Sequence, residues 1–378
     1  MSSIFLVWAC ESFEFVEVLP SFTEVNKSHP SIDSCGYRDR DFPAIPNWSS
    51  IEECYENTHN RTWKPYFLNK NLGFLIGGDE VILRTENGGS QWVGSFAGCD
   101  CVTYDAQFVN EQIGFVSMLE RVDFPVEDFI HGGFLKTTDR GISWERLESP
   151  QLGVPREVFF FSEREGFAIF NQYYVRSNQQ NRDFLAKTSD GGLTWAEIEG
   201  INPLGSSSNE LYFDEVGFGY TGGENGIIYF TEDYGNTWSE ISTNLNITAV
   251  QMIDAQNGFI DTYCQFLKTS DGGHTWEVIS EGEVEAFHFF DEKKGVILKS
   301  VFTYDQGDYR DQCRAFLTTD NGGQTWNQGD SSFNFSVSGM DFIDQNRGFI
   351  TNSGYNAFDC FRFIKVQNID LEEPTFYE

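Results

Sequence analysis

The stretch KTSDGGHTW, residues 268–276, combines a carboxylate, hydroxyl groups and two glycines in the way that calcium loops and phosphate cradles do. The same spacing, Ser/Thr-x-Asp-x-Gly-x-Thr/Ser-Trp, occurs six times in the chain. A motif repeated six times in one chain favours a structural module over a single active site. The other copies are KTTDRGISW (136–144), KTSDGGLTW (187–195) and FTEDYGNTW (230–238), with RTENGGSQW (84–92) and TTDNGGQTW (318–326) as looser versions.

Each copy is interpreted as a hairpin connection. The acidic side chain can accept hydrogen bonds from the backbone of its own turn, glycine permits a positive φ, and tryptophan can bury a large face. The alternative is a calcium site, but an asparagine in two copies suits a turn better than a metal site. The acceptors are Asn87, Asp139, Asp190, Asp233, Asp271 and Asn321, and the tryptophans are Trp92, Trp144, Trp195, Trp238, Trp276 and Trp326.

Between the turns lie alternating apolar segments, most of which contain a Gly-Phe pair. Seven such hairpins can be counted, for example QFVNEQIGFVSM with Gly114 and Phe115, and LYFDEVGFGY with Gly217 and Phe218. Period-two alternation with turn residues at each joint indicates an all-β chain, and four strands in roughly 40–50 residues form a propeller blade. We therefore predict one seven-bladed β-propeller over residues 11–370, followed by a tail at 371–378.

The last hairpin lacks a fourth strand, and we expect an N-terminal strand, FEFVEV at 13–18, to complete that blade. Residues 20–60 are interpreted as an irregular excursion before the first blade. Residues 1–10 end in a short apolar run and Cys10, which resembles a truncated lipoprotein signal with Cys10 as the lipidated residue. A plain β-strand is the alternative.

Composition limits the possible partners. The 378 residues carry 25 Lys+Arg against 58 Asp+Glu, a formal net charge of −33, which disfavours binding to nucleic acid or to an anionic membrane. No apolar run is long enough to span a bilayer. The eight cysteines include one Cys-x-Cys pair without zinc-finger spacing, so we expect no structural metal and no cofactor, and disulfides only if the protein is exported.

The repeated turn is similar to the Asp-box, or bacterial neuraminidase repeat. The chain most resembles the photosystem II assembly and stability factors, on the pairing of its Gly-Phe hairpins with GGDEVILRTENGG and GGENGIIYFTEDYG. That resemblance implies a seven-bladed propeller that acts as an assembly chaperone without catalysis. Because the basic patch expected of the photosynthetic members is not evident in this acidic chain, the resemblance does not imply a photosystem role.

Long second-to-third strand connections are predicted at 117–133, 171–183, 299–312 and 352–359, and such loops on a rigid scaffold often bind partners. They contain aromatic and arginine residues typical of binding hot spots. Asp305, Asp308 and Asp311 could hold calcium, although a solvated loop is the simpler interpretation. The predicted binding residues are Arg121, Tyr173, Tyr174, Arg176, Arg182, Tyr304, Asp305, Asp308, Tyr309, Arg310 and Tyr355.

Two functions remain open from sequence. The first is a non-catalytic binding or assembly scaffold of a bacterial cell envelope, exported to the periplasm or outer-membrane surface, with a protein partner that could be a membrane complex. The second is a carbohydrate-active propeller, either a sialidase-like glycosidase or a glycan-binding protein. Arg121, Arg176 and Arg310 lie in suitable loops for a sialidase, but no Tyr–Glu pair, histidine motif or GxSxG is found.

Overall fold

The computed structural model describes the strands and turns of a repeated β structure. The described residues are 22–24, 64–77, 81–89, 92–97, 99, 101–120, 132–147, 153–172, 182–201, 211–222, 226–262, 264–282, 284–305, 308–333, 337–344, 347–352 and 363–367. No helix in these ranges is long and apolar enough to cross a membrane.

Six blades each consist of four consecutive antiparallel strands, one blade fewer than the seven that the repeats predict. Blade A consists of β2 (Lys64–Phe67), β3 (Gly73–Ile76), β4 (Val81–Thr85) and β5 (Val93–Phe96). Blade B consists of β6 (Cys101–Phe108), β7 (Gly114–Glu120), β8 (Gly132–Thr137) and β9 (Glu145–Leu147). Blade C consists of β10 (Val154–Phe160), β11 (Gly166–Gln172), β12 (Arg182–Thr188) and β13 (Ala196–Glu197).

Blades D to F repeat this arrangement. Blade D consists of β14 (Leu211–Phe213), β15 (Gly219–Gly222), β16 (Ile227–Thr231) and β17 (Ser239–Ser242). Blade E consists of β18 (Ile247–Met252), β19 (Gly258–Thr262), β20 (Gln265–Thr269) and β21 (Glu277–Glu281). Blade F consists of β22 (Val284–Phe289), β23 (Gly295–Asp305), β24 (Asp308–Thr319) and β25 (Asn327–Phe333).

A composite sheet combines both ends of the chain. Its order is β1-β28-β27-β26, formed by β1 (Phe22–Glu24), β26 (Val337–Asp344), β27 (Arg347–Asn352) and β28 (Phe363–Gln367). The N-terminal strand is therefore Phe22–Glu24, inside the segment 20–60 expected to be irregular. The segment 13–18 expected in this position lies outside the described residues, as do Cys10 and the tail.

The prediction of an all-β propeller is confirmed. First strands contact first strands of neighbouring blades, including β2 with β6 and β10 with β14, so they are the innermost strands around the axis. Strand β26 also contacts β2, which joins the composite sheet to blade A. The ring of Phe67 stacks on Phe349 across this junction, with centroids 3.7 Å apart.

Each blade opens its second strand with a glycine for a steric reason. In blade B, Phe108 lies opposite Gly114, and a Cβ on Gly114 would come within 2.5 Å of the Phe108 ring. The same pairing recurs in every sheet, with methionine replacing phenylalanine once. The pairs are Phe67–Gly73, Phe108–Gly114, Phe160–Gly166, Phe213–Gly219, Met252–Gly258, Phe289–Gly295 and Phe342–Gly348.

Blade D corrects the sequence analysis, which placed its glycine at Gly217. Gly219 lies opposite Phe213, and Tyr220 follows as the buried aromatic. Gly217 instead belongs to the turn, where its φ of 97° places it in the region that glycine favours. The sequence GFGY contains two glycines, and either could have opened the second strand. The structure places Gly217 in the turn and Gly219 at the start of the strand.

Candidate functional site

The six repeated turns are held together by their own side chains. In blade C, the buried Thr188 Oγ1 accepts a hydrogen bond from the Gly192 amide (3.0 Å) and donates one to Asp190 Oδ1 (2.9 Å). The Asp190 carboxylate also accepts bonds from the Thr194 amide (2.9 Å) and hydroxyl (2.5 Å). Both carboxylate oxygens are therefore occupied by groups of the same turn.

The turns of Asp139, Asp233 and Asp271 use the same bonds. Asn321 likewise accepts from the Thr325 amide at 2.9 Å, but its Nδ2 donates to Thr325 Oγ1 at 2.7 Å. Hydrogen bonds from the hydroxyl and amide of Thr275 lower the pKa of Asp271 to about 2. Among the described residues, no group of three or more His, Cys, Asp or Glu side chains is placed to hold a metal ion.

Each turn tryptophan packs across a blade junction. Trp144 of blade B contacts Phe74 of blade A edge-on at 6.4 Å, and its indole N–H donates to Ser95 Oγ at 3.1 Å. Trp326 of blade F donates to the Ile279 carbonyl of blade E at 3.2 Å. These contacts join the turn directly to the preceding blade.

The turns also define one face of the propeller. The amide of the residue just before each turn's recurring glycine bonds to the first-to-second strand turn of the same blade, as Gly191 does to the Arg164 carbonyl at 2.8 Å and Arg140 to the Gln112 carbonyl at 3.1 Å. We call this the turn face. The opposite end, with the second-to-third and fourth-to-first connections, is the loop face; there the Gly282 amide bonds to the Cys264 carbonyl at 2.7 Å.

Thr188 gives a direct test of the turn. Replacing Thr188 by Val is expected to lower the free energy of unfolding by about 1–3 kcal/mol, because the buried Gly192 amide loses its acceptor. Urea denaturation measures this change. Replacing Asp190 by Asn, which occurs naturally at Asn321, should cost less; equal losses from both variants would contradict the assigned roles.

Five of the eleven predicted binding residues lie outside the described residues: Arg121, Tyr173, Tyr174, Arg176 and Tyr355. Arg182 is described, and its guanidinium forms two bonds of 2.7 Å to Glu197 on the neighbouring strand. It also lies over the Phe184 ring, 4.7 Å from the centroid. These contacts hold Arg182 within blade C.

The predicted loop at 299–312 is wrong. Strands β23 and β24 continue through it as one long hairpin in which Tyr304 pairs with Tyr309 and Asp305 with Asp308. The segment VFTYD is rich in β-branched and aromatic residues, so it extends the strand instead of forming a loop. Arg310 and Asp311 lie on β24 as well.

The innermost strands carry a set of polar residues that the sequence analysis did not select. Five first strands have a β-bulge four residues before the phenylalanine or methionine that lies opposite the glycine. These strands are β6, β10, β18, β22 and β26. The residue three positions before that phenylalanine is Lys64 in β2, Asp105 in β6 and Glu157 in β10. We call these three residues the axial strip.

The axial strip spans three blades. Lys64 Nζ lies 3.0 Å from Glu157 Oε1, so an ion pair runs from blade A to blade C past the first strand of blade B. Asp105 Oδ2 accepts a hydrogen bond from the Val158 amide at 3.0 Å. Burial raises the pKa of Asp105, while Lys64 and a hydrogen bond with Glu157 oppose that rise. At the bulge beside the strip, the Arg156 guanidinium lies 4.2 Å from the Tyr104 ring centroid.

The first strands of three other sheets have small residues at the same register. These are Ala249 in β18, Ala286 in β22 and Gly339 in β26. Ala286 packs against the core cluster that contains Leu298 and Phe342. Among the described first strands, charged side chains at this register therefore belong to blades A to C, and we call the axial space that the first strands enclose the channel. The polar residues that interrupt TWKPYF, VTYDAQF and VPREVFF were the signal in the sequence.

The carboxyl groups of the axial strip are engaged by neighbouring groups. Glu157 is paired with Lys64, and Asp105 accepts from the Val158 amide of the next blade. A glycosidase holds two carboxyl groups about 5–9.5 Å apart, with room for a nucleophilic attack or a water.

Comparison with known proteins gives fold-level likenesses. The sequence matches no known family model and no curated protein. The structure is similar to "YCF48 bound to D1 peptide", with TM-score 0.59 and 18% identity over 82% of this chain and 95% of that one. It is similar to YCF48 from Cyanidioschyzon merolae, with TM-score 0.59 and 17% identity over 82% and 97% of the two chains.

An enzyme is also among the similar structures. The GH74 xyloglucanase from Xanthomonas campestris has TM-score 0.56 and 13% identity, over 83% of this chain and 52% of the enzyme. At these identities the likenesses show a shared fold. The chain is a β-propeller whose structural neighbours include both a peptide-bound protein and a hydrolase.

Proposed function

We propose that this protein is a non-catalytic binding propeller that holds a segment of a protein partner at its loop face and in the adjoining channel. The charged side of the channel carries this proposal. Lys64, Asp105 and Glu157 place both charges on the first strands of blades A to C, and Ala249 provides a small side chain at the same register in blade E. A solved structural neighbour with a bound D1 peptide supports a polypeptide as the occupant.

The charge of the protein suggests the type of partner segment. A net charge of −33 attracts basic partners over long distances and repels acidic ones. Glu157 has 21% of its side chain exposed and could receive a lysine or arginine of the partner. We therefore propose a basic segment of a membrane or envelope protein as the occupant.

Several finer assignments belong to the same proposal. The six turns are assigned to the Asp-box type because of their spacing and hydrogen bonds, and the composite sheet is assigned as a seventh blade because β26 contacts β2. Export to a bacterial envelope and lipidation at Cys10 are proposed from the N-terminal sequence alone.

A capture experiment tests the function. Immobilised protein would be incubated with detergent-solubilised membranes from its own cells, and bound proteins identified by mass spectrometry. Ala249→Trp, which fills the channel, should reduce recovery of the partner by roughly tenfold or more, because binding energy concentrates in a few central contacts.

Leu193→Trp provides the matched control, because Leu193 is 55% exposed in a repeated turn on the opposite face. It should leave recovery unchanged. Equal recovery with Ala249→Trp and Leu193→Trp would contradict channel binding. Hydrolysis of chromogenic glycosides by the purified wild-type protein would favour the carbohydrate-active alternative.

A further inference from the structure

Among the described residues, four of the junctions between neighbouring sheets share one hydrogen bond near the axis. The residue just before the register phenylalanine or methionine accepts a bond from the backbone amide of the equivalent phenylalanine in the next sheet. Tyr66 Oη accepts from the Phe108 amide at 3.1 Å, and Gln107 Oε1 accepts from the Phe160 amide at 3.1 Å. Gln251 Oε1 likewise accepts from the Phe289 amide at 2.8 Å.

The same bond closes the ring, but there its acceptor is ionisable. Asp341 of the composite sheet accepts from the Phe67 amide of blade A at 2.7 Å through Oδ2. Its Oδ1 accepts from the Phe342 amide at 2.9 Å. Gln107 and Gln251 cannot change charge at this position. The place where the first and last repeats meet therefore depends on a carboxyl group.

Several titratable groups belong to the strands packed around Asp341. On β2, Lys64 is paired with Glu157, and burial raises the pKa of Tyr66 to about 12, so Tyr66 stays neutral. On β22, burial lowers the pKa of His288 to about 4, and Glu285 accepts a bond from the Val337 amide at 3.5 Å.

Two further acids belong to this neighbourhood. Asp105 of β6 and Asp341 both act on Tyr66 through their charges, and Asp344 lies on the same strand as Asp341. Asp105 accepts from the Val158 amide, and Lys64 opposes the rise in its pKa that burial causes. Among the described residues, the backbone amides of Phe67 and Phe342 are the groups that favour the ionised form of Asp341.

We propose that the junction of blade A with the composite sheet is a proton-sensitive latch that holds more firmly when Asp341 is protonated than when it is ionised. A neutral carboxyl keeps one carbonyl oxygen to accept an amide, and it avoids the cost of burying a charge without a cation beside it. The equivalent bonds from the Phe108, Phe160 and Phe289 amides have no such dependence, because their acceptors are a tyrosine and two glutamines that do not ionise near neutral pH.

The direction follows from linkage. Burial raises the pKa of Asp341 from 3.8 to about 7 in the closed junction, whereas an opened junction exposes the carboxyl to water. The closed form therefore binds more protons than the open form between about pH 4 and pH 7. Its stability is highest at the acid end of that window and falls as pH rises through the closed-state pKa.

Amide hydrogen exchange on the full chain tests the latch, with residue-level readout and correction for intrinsic exchange. Between about pH 5 and pH 8, the protection of the Phe67 amide is expected to fall by roughly tenfold or more. The Phe108, Phe160 and Phe289 amides serve as internal controls and should change much less. In Asp341→Asn, the Phe67 amide should lose this pH dependence.

Two results would overturn the latch. One is a Phe67 protection factor that does not change with pH, and the other is an equal change at all four amides, which would indicate a global effect. If Asp341→Asn does not fold, comparison of the four wild-type amides still decides, together with a carbon-13 titration of the Asp341 carboxyl. A titration midpoint near the ordinary value of 3.8 would also overturn the proposal.

Discussion

Replacing Gly114 by Ala is expected to lower the free energy of unfolding by about 2–3 kcal/mol, since inserting a methyl group into a filled core forces atoms apart. The new Cβ would lie 2.5 Å from the Phe108 ring, which cannot move freely because it stacks on Phe74 with centroids 4.5 Å apart. Urea denaturation measures the loss, provided that the variant and the wild type show the same dependence of unfolding free energy on urea concentration.

Gly222→Ala is the matched control. Gly222 also lies within a second strand, but its nearest neighbour would be 3.3 Å from the new Cβ, a contact that small shifts can relieve. We expect a cost below about 1 kcal/mol there. If Gly114→Ala is no more destabilising than Gly222→Ala, the seven pairs of glycine with phenylalanine or methionine do not set the strand register as described.

Replacing Phe115 by Ala is expected to cost about 3–5 kcal/mol, the range for truncating a large buried aromatic. Phe115 is fully buried in blade B, and its ring stacks on Phe160 of blade C with centroids 3.6 Å apart. The change would leave a cavity at a blade junction, so thermal or urea unfolding should show a large loss.

Val216→Ala provides a comparison, because Val216 is 77% exposed on the turn face. Its cost should stay within about 0.5 kcal/mol. A Phe115→Ala loss below about 1 kcal/mol would contradict the view that stacked aromatics between blades hold the ring together.

The sequence predicts the fold well because each blade repeats the same local pattern of alternating strands and turn residues. Alternation gives the strands, and the Thr-x-Asp-x-Gly turn appears wherever a third strand must reverse. Register is less predictable where the letters repeat, as Gly217 and Gly219 show. The N-terminal strand was predicted at 13–18 because that segment alternates, whereas the strand that pairs with β28 is Phe22–Glu24, whose sequence FTE has one apolar residue and whose pairing depends on long-range geometry.

The candidate site is less predictable because it arises from three separate first strands. Lys64 and Glu157 are 93 residues apart in the chain and meet only because the first strands converge on the axis. Polar residues interrupt the alternation near the bulges, but they do not show which first strands meet. The predicted binding residues therefore lay in polar loops. One of these loops is a strand hairpin, and Arg182 of another bonds within its own blade.

The central claim, that the channel receives a protein partner, can be tested most directly by photo-crosslinking. A benzoylphenylalanine would replace Ala249 in the channel or Leu193 on the turn face, and extracts of the protein's own cells would be irradiated. A protein adduct from position 249 and none from position 193 is the predicted result. No adduct at 249, or equal adducts at both positions, would contradict partner binding in the channel.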